Sequence, residues 1–534
     1  MHNDGLVYSK IIDCLSECKQ FISASQWMSN THKSICDIDC RMREPMQLAI
    51  VGRISSSKST LVNAILGEPE VVRTGHEAET FNVSWLKYGD DNAPIFVHFK
   101  NGNSQAVERG EWADWVSHKG QQVLKAEVKY IEVTSNYEML KYINIIDTPG
   151  LDATSKVDSE NTIDFLKNVN PDAVILLFTK SLSEDTLKLI SEFQNSETNM
   201  SFSINPMNAL GVLSKADLNW DINVAINPIN LSDDAIKRTL SSRSDVSKVL
   251  FRILPVSALM GLASSIICDE DIDDFKKLAM LSDGQLESLF EGAEDFCDEY
   301  DFLSISSNRR KQLLLKYGLY GIYVCVREIR CNASITLSDL SQTLRKESGF
   351  EAFIKLVMSH FGDRAQLLKA QRGVIQLLGA IDKDRINANS REELNVVNSV
   401  YSKVRSIENE LHELKEWNLL LRIYKNEIIV DDKFMREFLL ISGESGHSAV
   451  DKLNVTSDKS IIELIAFAKE RYNHWKTEYN AWYGLSPIKA EPYAVIAKSY
   501  ELLVSRLKQQ QEEYDKAQRT IRIFNHYIYG RESL

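Results

Sequence analysis

The chain has 534 residues, too many for one ordinary hydrophobic core, and its 44% hydrophobic and 26% charged content is that of a soluble protein. No apolar run approaches the ~18 residues of a membrane-spanning helix. The N-terminus lacks the basic start, apolar stretch and small-residue cleavage site of a signal peptide, so a cytoplasmic location is expected. The net charge of −13 is mostly local: thirteen carboxylates against two lysines fall in residues 269–301, which reads as a solvated insertion and decides little about partners.

In chain order, the first expected element is a helix over about 6–29. Val7, Ile11, Cys14, Cys18, Phe21 and Met28 follow a helical seam with Ser25 as its polar exception. That seam makes the Cys14/Cys18 pair small core residues rather than zinc ligands. The eight cysteines are expected to be reduced and structural.

Next comes a strand, "MQLAIVG" (46–52), then a turn, "GRISSSKST" (52–60), then a helix, "STLVNAILG" (59–67). Strand, turn and helix in this order frame a phosphate site, with backbone N–H groups and the positive helix end facing the phosphates. Gly52, Ser55, Ser56 and Ser57 line the turn, and Thr60 follows on the helix. Lys58 is placed to reach the β- and γ-phosphates, and the Ser59 hydroxyl to hold Mg²⁺. Ser57 stands where the phosphate-loop pattern has its second glycine, a position that wants φ > 0 at about 1 kcal/mol for a non-glycine residue.

Three further strands end in polar residues suited to the same ligand. "YINIIDTPGLD" (142–152) ends in Asp147, an acid that can hold the metal's water shell, and Gly150 leaves its amide free to approach a γ-phosphate. After the strand "NPDAVILLFTK" (170–180), "ALGVLSKAD" (209–217) ends in Ser214-Lys215-Ala216-Asp217. A carboxylate there accepts from guanine N1–H and N2–H₂, which adenine does not offer, and the lysine stem lies along the base. "FRILPVSALMG" (251–261) ends in Ser257-Ala258. Ligands of open α/β sheets bind at the carboxyl ends of strands, so four such ends in series read as a guanine-nucleotide site for GTP and GDP.

Together "GRISSSKSTLVNAILG", "AETFNVSWLKYG" (78–89), "INIIDTPGLD" and "VLSKAD" resemble the GTPase domain of the dynamin superfamily, in the style of the bacterial dynamin-like proteins. The spacer fits too, with "PIFVHFKNG" (94–102) as a strand, "ERGEWADWVSH" (108–118) as a helix and "VLKAEVKYIEVTS" (123–135) as a strand. The resemblance implies that Thr80 is the switch threonine closing over Mg²⁺ and the γ-phosphate, with Thr74 as the alternative. It places Asp147 and Gly150 in switch II, Lys215 and Asp217 in base recognition, and Ser257 and Ala258 in the last base-side motif. Ser55 falls where many dynamins have a serine that helps bind a monovalent cation. Ile54 departs from the pattern, occupying the place of a glutamine that orients the attacking water.

The implied fold is an α/β P-loop GTPase domain, a mixed and mostly parallel sheet flanked by helices, followed by a long all-α bundle or stalk. Expected boundaries are 1–45 for the N-terminal helix, 46–365 for the GTPase domain and 366–534 for the stalk. An acidic helical insertion is expected over about 262–345, before "SGFEAFIKLVMSHFGDRAQLLKA" (348–370) as the last helix of the head. Seams run through Val397, Val400, Val404, Ile407, Leu411 and Leu414, through Ile461 to Trp482, and from Ile496 past Tyr514, Ile521 and Phe524. Turns are expected at "SGESGHS" (442–448) and "GLSPIKAEP" (484–492). The stripe of Tyr472, Trp475, Tyr479 and Trp482 reads as bundle core.

Functionally, the resemblance implies a GTPase of low intrinsic rate whose heads dimerise or self-assemble, acting on a membrane or a protein partner; no nucleic acid is expected. The alternatives are a GTP-binding scaffold that hydrolyses little, which Ile54 and Ser57 favour, and a regulatory switch acting on a partner protein.

Overall fold

The computed structural model describes residues 2–23, 27–53, 55–69, 82–112, 115, 127–150, 171–179, 207–224, 226–243, 246, 249–444, 446 and 448–529. The chain forms two compact units: Ile38–Arg372, and Met1–Asp37 together with Gly373–Leu534.

The first unit is built on a nine-stranded sheet. Its strands are β1 (Met46–Gly52), β2 (Ser84–Tyr88), β3 (Ile95–Phe99), β4 (Ser104–Val107), β5 (Val128–Ser135), β6 (Ile143–Asp147), β7 (Ala173–Phe178), β8 (Ala209–Ser214) and β9 (Ile253–Val256). The spatial order is β4-β3-β5-β2-β6-β1-β7-β8-β9. From β6 through β9 every pairing is parallel, while β2 runs antiparallel to β6, and β3 antiparallel to both β4 and β5. The strands β6, β7 and β8 are buried at every residue, because helices cover both faces of a parallel sheet. Ala49, Val51, Val174, Leu176 and Phe178 form one such face, packed with Ile236 and Leu250. The interior strand β2 and the edge strand β4 had no counterpart among the expected elements; β2 is tied to β5 by Lys87 Nζ, 2.7 Å from Glu132 Oε2. The helix expected over 108–118 is represented by a single short turn at Arg109–Glu111, beyond which most of that segment lies outside the described residues.

Helices in chain order include α1 (His2–Ile22), α2 (Ser29–Arg43), α3 (Lys58–Leu66), α4 (Pro228–Ser242) and α5 (Ala258–Ile266). The insertion contributes α6 (Asp269–Ala279), α7 (Asp283–Leu289), α8 (Ala293–Cys297), α9 (Ser307–Cys331) and α10 (Leu337–Glu347). They enclose a core of their own with Phe275, Leu289, Phe290, Phe296, Tyr317 and Val324. The acidic stretch is not simply solvated. Asp271 and Asp274 are buried, and Arg309 donates to both, at 2.9 Å to Asp271 Oδ1 and 2.7 Å to Asp274 Oδ2. Buried carboxylates persist because each finds a cation and hydrogen bonds. Arg310, also buried, donates to the backbone carbonyls of Ile305 and Asp298 and thereby organises the loop before α9.

The insertion leaves and rejoins the sheet at one place: Ser257 N donates to Ser348 O at 2.9 Å. Gly349 makes this possible. Its φ is +72°, and a Cβ there would lie 2.5 Å from Pro255 O on β9. Beyond it α11 (Phe350–Val357) does not run on to residue 370 as one helix. A π-turn at Met358–Gly362 separates it from α12 (Ala365–Ile386).

In the helical unit, the N-terminal segment is two helices instead of one. Ile22, not Phe21, carries the buried seam at the end of α1, and Phe21 is exposed. The start of α2 is capped from far along the chain by the buried Asp384. Its Oδ2 accepts from Thr31 N at 2.8 Å and Thr31 Oγ1 at 2.7 Å, and its Oδ1 from Asn30 Nδ2 at 2.7 Å. The helices α13 (Arg391–Glu410) and α14 (His412–Tyr424) are separated at Leu411, whose ψ of 96° ends the first helix while its side chain stays in the buried seam. After α15 (Asp432–Ile441) and α16 (Ala449–Leu453) come α17 (Ile461–Tyr483) and α18 (Pro487–Tyr529). Pro487 starts α18 at the position where a missing N–H costs nothing, so the turn is shorter than expected and Pro492 lies inside the helix. Trp475 is buried, donating to Glu437 Oε2 at 2.9 Å and stacked on Tyr493. In α18 the seam is buried at Ile496, Tyr500, Leu503 and Leu507, but Tyr514, Ile521 and Phe524 are exposed.

Candidate nucleotide-binding site

The site is built on loops that leave the carboxyl ends of adjacent parallel strands. In the phosphate half, β1 runs into a turn at Gly52 and α3 begins at Lys58. A Cβ on Gly52 would lie 2.7 Å from Leu177 O on β7 and 2.7 Å from Ser56 Oγ, so the turn can fold against the sheet only with glycine there. Ser55 and Ser57 have left-handed backbones, with φ of 59° and 66°. This is the conformation the missing glycine would supply, and Ser57 adopts it directly before the helix. Two left-handed residues around Ser56 curl successive N–H groups inward, an anion-binding arrangement. Thr60 is half-buried on the first turn of α3.

Lys58 is buried, and its Nζ donates to Gly52 O at 3.1 Å and Arg53 O at 3.0 Å. Burial pulls its pKa down to about 8, opposed by the charge of Asp147. Asp147, at the end of β6 and in register with Ile50, is fully buried. Burial pushes its pKa up to about 6, and Lys58 and a hydrogen bond from Ser59 oppose the rise. Ser59 Oγ lies 3.4 Å from Asp147 Oδ2, while Asp147 Oδ1 and Ser56 Oγ are buried with no partner. Thr148 donates through Oγ1 to Ile50 O at 2.8 Å, locking the strand end, and Pro149 and Gly150 follow, buried. An orphaned carboxylate oxygen beside a serine hydroxyl and a lysine fits a hydrated cation with phosphate, since unpaired buried polar atoms are otherwise costly.

At the end of β8, Ser214 Oγ donates to Phe178 O at 3.2 Å, clipping β8 to β7. Lys215 is left-handed, with φ of 56°, and turns the chain into the short helix Ala216–Asn219 that carries Asp217. Burial raises the pKa of Asp217; hydrogen bonds from Ser257 and from its own backbone, with the charge of Lys215, hold it down. Ser257 also caps α5 by accepting from Met260 N at 3.3 Å, and Ala258 opens that helix, buried.

The structure therefore brings Lys58, Ser59 and Asp147 together, and separately Asp217 and Ser257. Ile54, Thr74 and Thr80 lie outside the described residues. One neighbour of Asp217 had no sequence motif: Gly318 in α9, whose only signal was a glycine inside an otherwise continuous helical run, "YGLYG".

Residues 48–216 match the model of the dynamin family. Over that segment the chain is similar to the dynamin family. The chain is 23% identical over 450 residues to the isoniazid-induced protein IniC of Mycobacterium tuberculosis, a match covering 83% of this chain and 87% of that one. It is 29% identical over 178 residues to dynamin-like protein 2 of Campylobacter jejuni, covering 32% of this chain and 28% of the relative. Among solved structures, one of an oligomerised bacterial dynamin pair, described in terms of sensing and tethering membranes, is similar at 16% identity. It covers 97% of this chain and 78% of that one, with a TM-score of 0.30.

Proposed function

We propose that the protein binds GTP and GDP with Mg²⁺ along this sheet edge and hydrolyses GTP slowly as a single head. Pairing of heads speeds turnover, and the helical unit links nucleotide state to self-assembly. The observation that carries the reading is the buried, partnerless pair of Asp147 Oδ1 and Ser56 Oγ beside a loop with two left-handed residues.

In this reading Lys58 exchanges its two carbonyl contacts for β- and γ-phosphate oxygens. Ser59 and Asp147, the latter through water, hold Mg²⁺, which when bound neutralises phosphate charge. Gly52, Ser55, Ser56, Ser57 and Thr60 surround the phosphates. Thr80, with Thr74 as the alternative, and the Gly150 amide face the γ-phosphate, and a monovalent cation beside Ser55 is part of the proposal. Asp217 accepts from the guanine edge, held by Ser257, while Lys215 and Ala258 flank the base. The head is assigned to 46–365, interrupted by the insertion, and the stalk to 1–45 with 366–534. A peripheral membrane or protein partner comes from kinship; no described helix is long and apolar enough to cross a bilayer.

Single-turnover GTP hydrolysis at increasing protein concentration tests this reading. A rate per molecule that climbs with concentration is expected; GTP bound without turnover at any concentration favours the hydrolysis-poor scaffold instead. Ile54 gives that second reading its support, since an aliphatic side chain has no group to orient water. On the base side, Asp217→Asn is expected to weaken GDP at least tenfold and to improve xanthosine diphosphate, read by equilibrium binding. Unchanged selectivity would mean the base lies elsewhere.

A further inference from the structure

Helix α9 runs from Ser307 to Cys331, yet Gly318 within it has φ of 69° and ψ of 163°. Only glycine reaches that region without strain, and such conformations persist where their surroundings over-determine them. Gly318 is buried. A Cβ added there would meet Asp217 Oδ2 at 3.3 Å and Leu259 Cδ2 at 3.6 Å. The break in the helix thus faces the carboxylate assigned to the base.

Anchors hold the break from both sides. Before it, Lys316 Nζ and the Tyr317 hydroxyl donate to Asp271 Oδ2, at 2.5 and 2.6 Å. After it, the Tyr320 hydroxyl donates to Glu347 Oε2 at 2.6 Å, and Asn227 Nδ2 donates to the same oxygen at 2.6 Å. Trp220, three residues past Asp217, packs against the rings of Tyr320 and Tyr323, with centroids 5.6 and 4.7 Å away. A side chain at 318 on this broken turn would press on Asp217, whereas glycine stands just clear of it.

We propose that Gly318 is a positioning residue for guanine recognition: the broken turn of α9 is the wall that fixes the direction in which Asp217 meets N1–H and the N2 amine of the base. The insertion is thereby part of the base site. This rests on the assignment of Asp217 to the base.

The test compares GDP with IDP, whose base lacks the N2 amine, on the full chain carrying Gly318→Ala. Wild type is expected to prefer GDP. The variant is expected to lose about tenfold of that preference while IDP, held by its phosphates and N1–H, changes less. An unchanged GDP/IDP ratio in a folded variant overturns the proposal. A wild type that does not distinguish the two overturns the base-site assignment, and this proposal with it. Should the variant fail to fold, amide exchange on wild type decides. Saturating GDP is expected to slow exchange at residues 316–321 more than IDP does, and equal protection by both overturns the proposal.

Discussion

His360 is buried in the π-turn after α11, donating from Nε2 to Met207 O at 3.0 Å with its ring stacked on Phe251 at 3.9 Å. Burial, with the charge of Arg364, holds its pKa at about 3, well below the usual range for histidine. The unfolded chain takes up a proton near pH 6.5 that the native imidazole refuses until about pH 3. His360 therefore withdraws stability as pH falls through that window, by up to about 1.4 kcal/mol per unit. His360→Asn is expected to unfold less steeply with acidification than wild type, read from urea midpoints at pH 7.5, 6 and 5; parallel slopes would sink the assignment. A single residue of this kind is invisible in sequence because its partner, Met207, is far away along the chain. The placement of Lys58, Ser59, Asp147 and Asp217 was legible because each lies at a strand end or on the turn or helix that directly follows one, which local patterning already marks. Gly318 was not, because its meaning depends on what the insertion packs against.

Among the elements, α2 depends on a carboxylate it does not contain. Removing Asp384 leaves the buried Thr31 amide and hydroxyl without an acceptor, so Asp384→Ala is expected to destabilise the helical unit by about 2–3 kcal/mol. A fall of several degrees in its calorimetric transition checks this, and a melting curve unchanged from wild type would show that the cap is dispensable. Helix seams were readable because burial repeats every three or four residues, as Val397, Val400, Val404 and Ile407 do. Their interruptions were less so. Leu411 keeps the seam's hydrophobic spacing while its backbone leaves the helix, so composition there reports burial and not continuity. The strand β4 offers only four residues, exposed at the first three, which is too short for alternation to register.

Across the whole molecule, the mixed and mostly parallel sheet was legible in patterns spread over the first half of the sequence, whereas its strand order and the extent of the bundle were not. The α18 repeat continues to Phe524, but only as far as Leu507 does it find partners in the helical unit. Truncation after Gln511 is accordingly expected to leave the melting temperature unchanged to within about 2 °C, since exposed residues contribute little. A drop of about 5 °C or more by scanning calorimetry would show that the distal seam is engaged in solution.

The single hydrogen bond from Ser257 to Ser348 has a bearing on how the chain folds. Residues so distant in sequence meet slowly, because closing a flexible loop of that length costs on the order of 4 kcal/mol in entropy. The buried aromatic core of residues 262–345 consists mainly of contacts within that loop, with Trp220 packed against it from outside. Once it condenses, it has already drawn the two ends together, and β9 can be finished without a long-range search. The helical segment between Ser257 and Ser348 thus acts as an internal template for the end of the sheet that leads into Ser257.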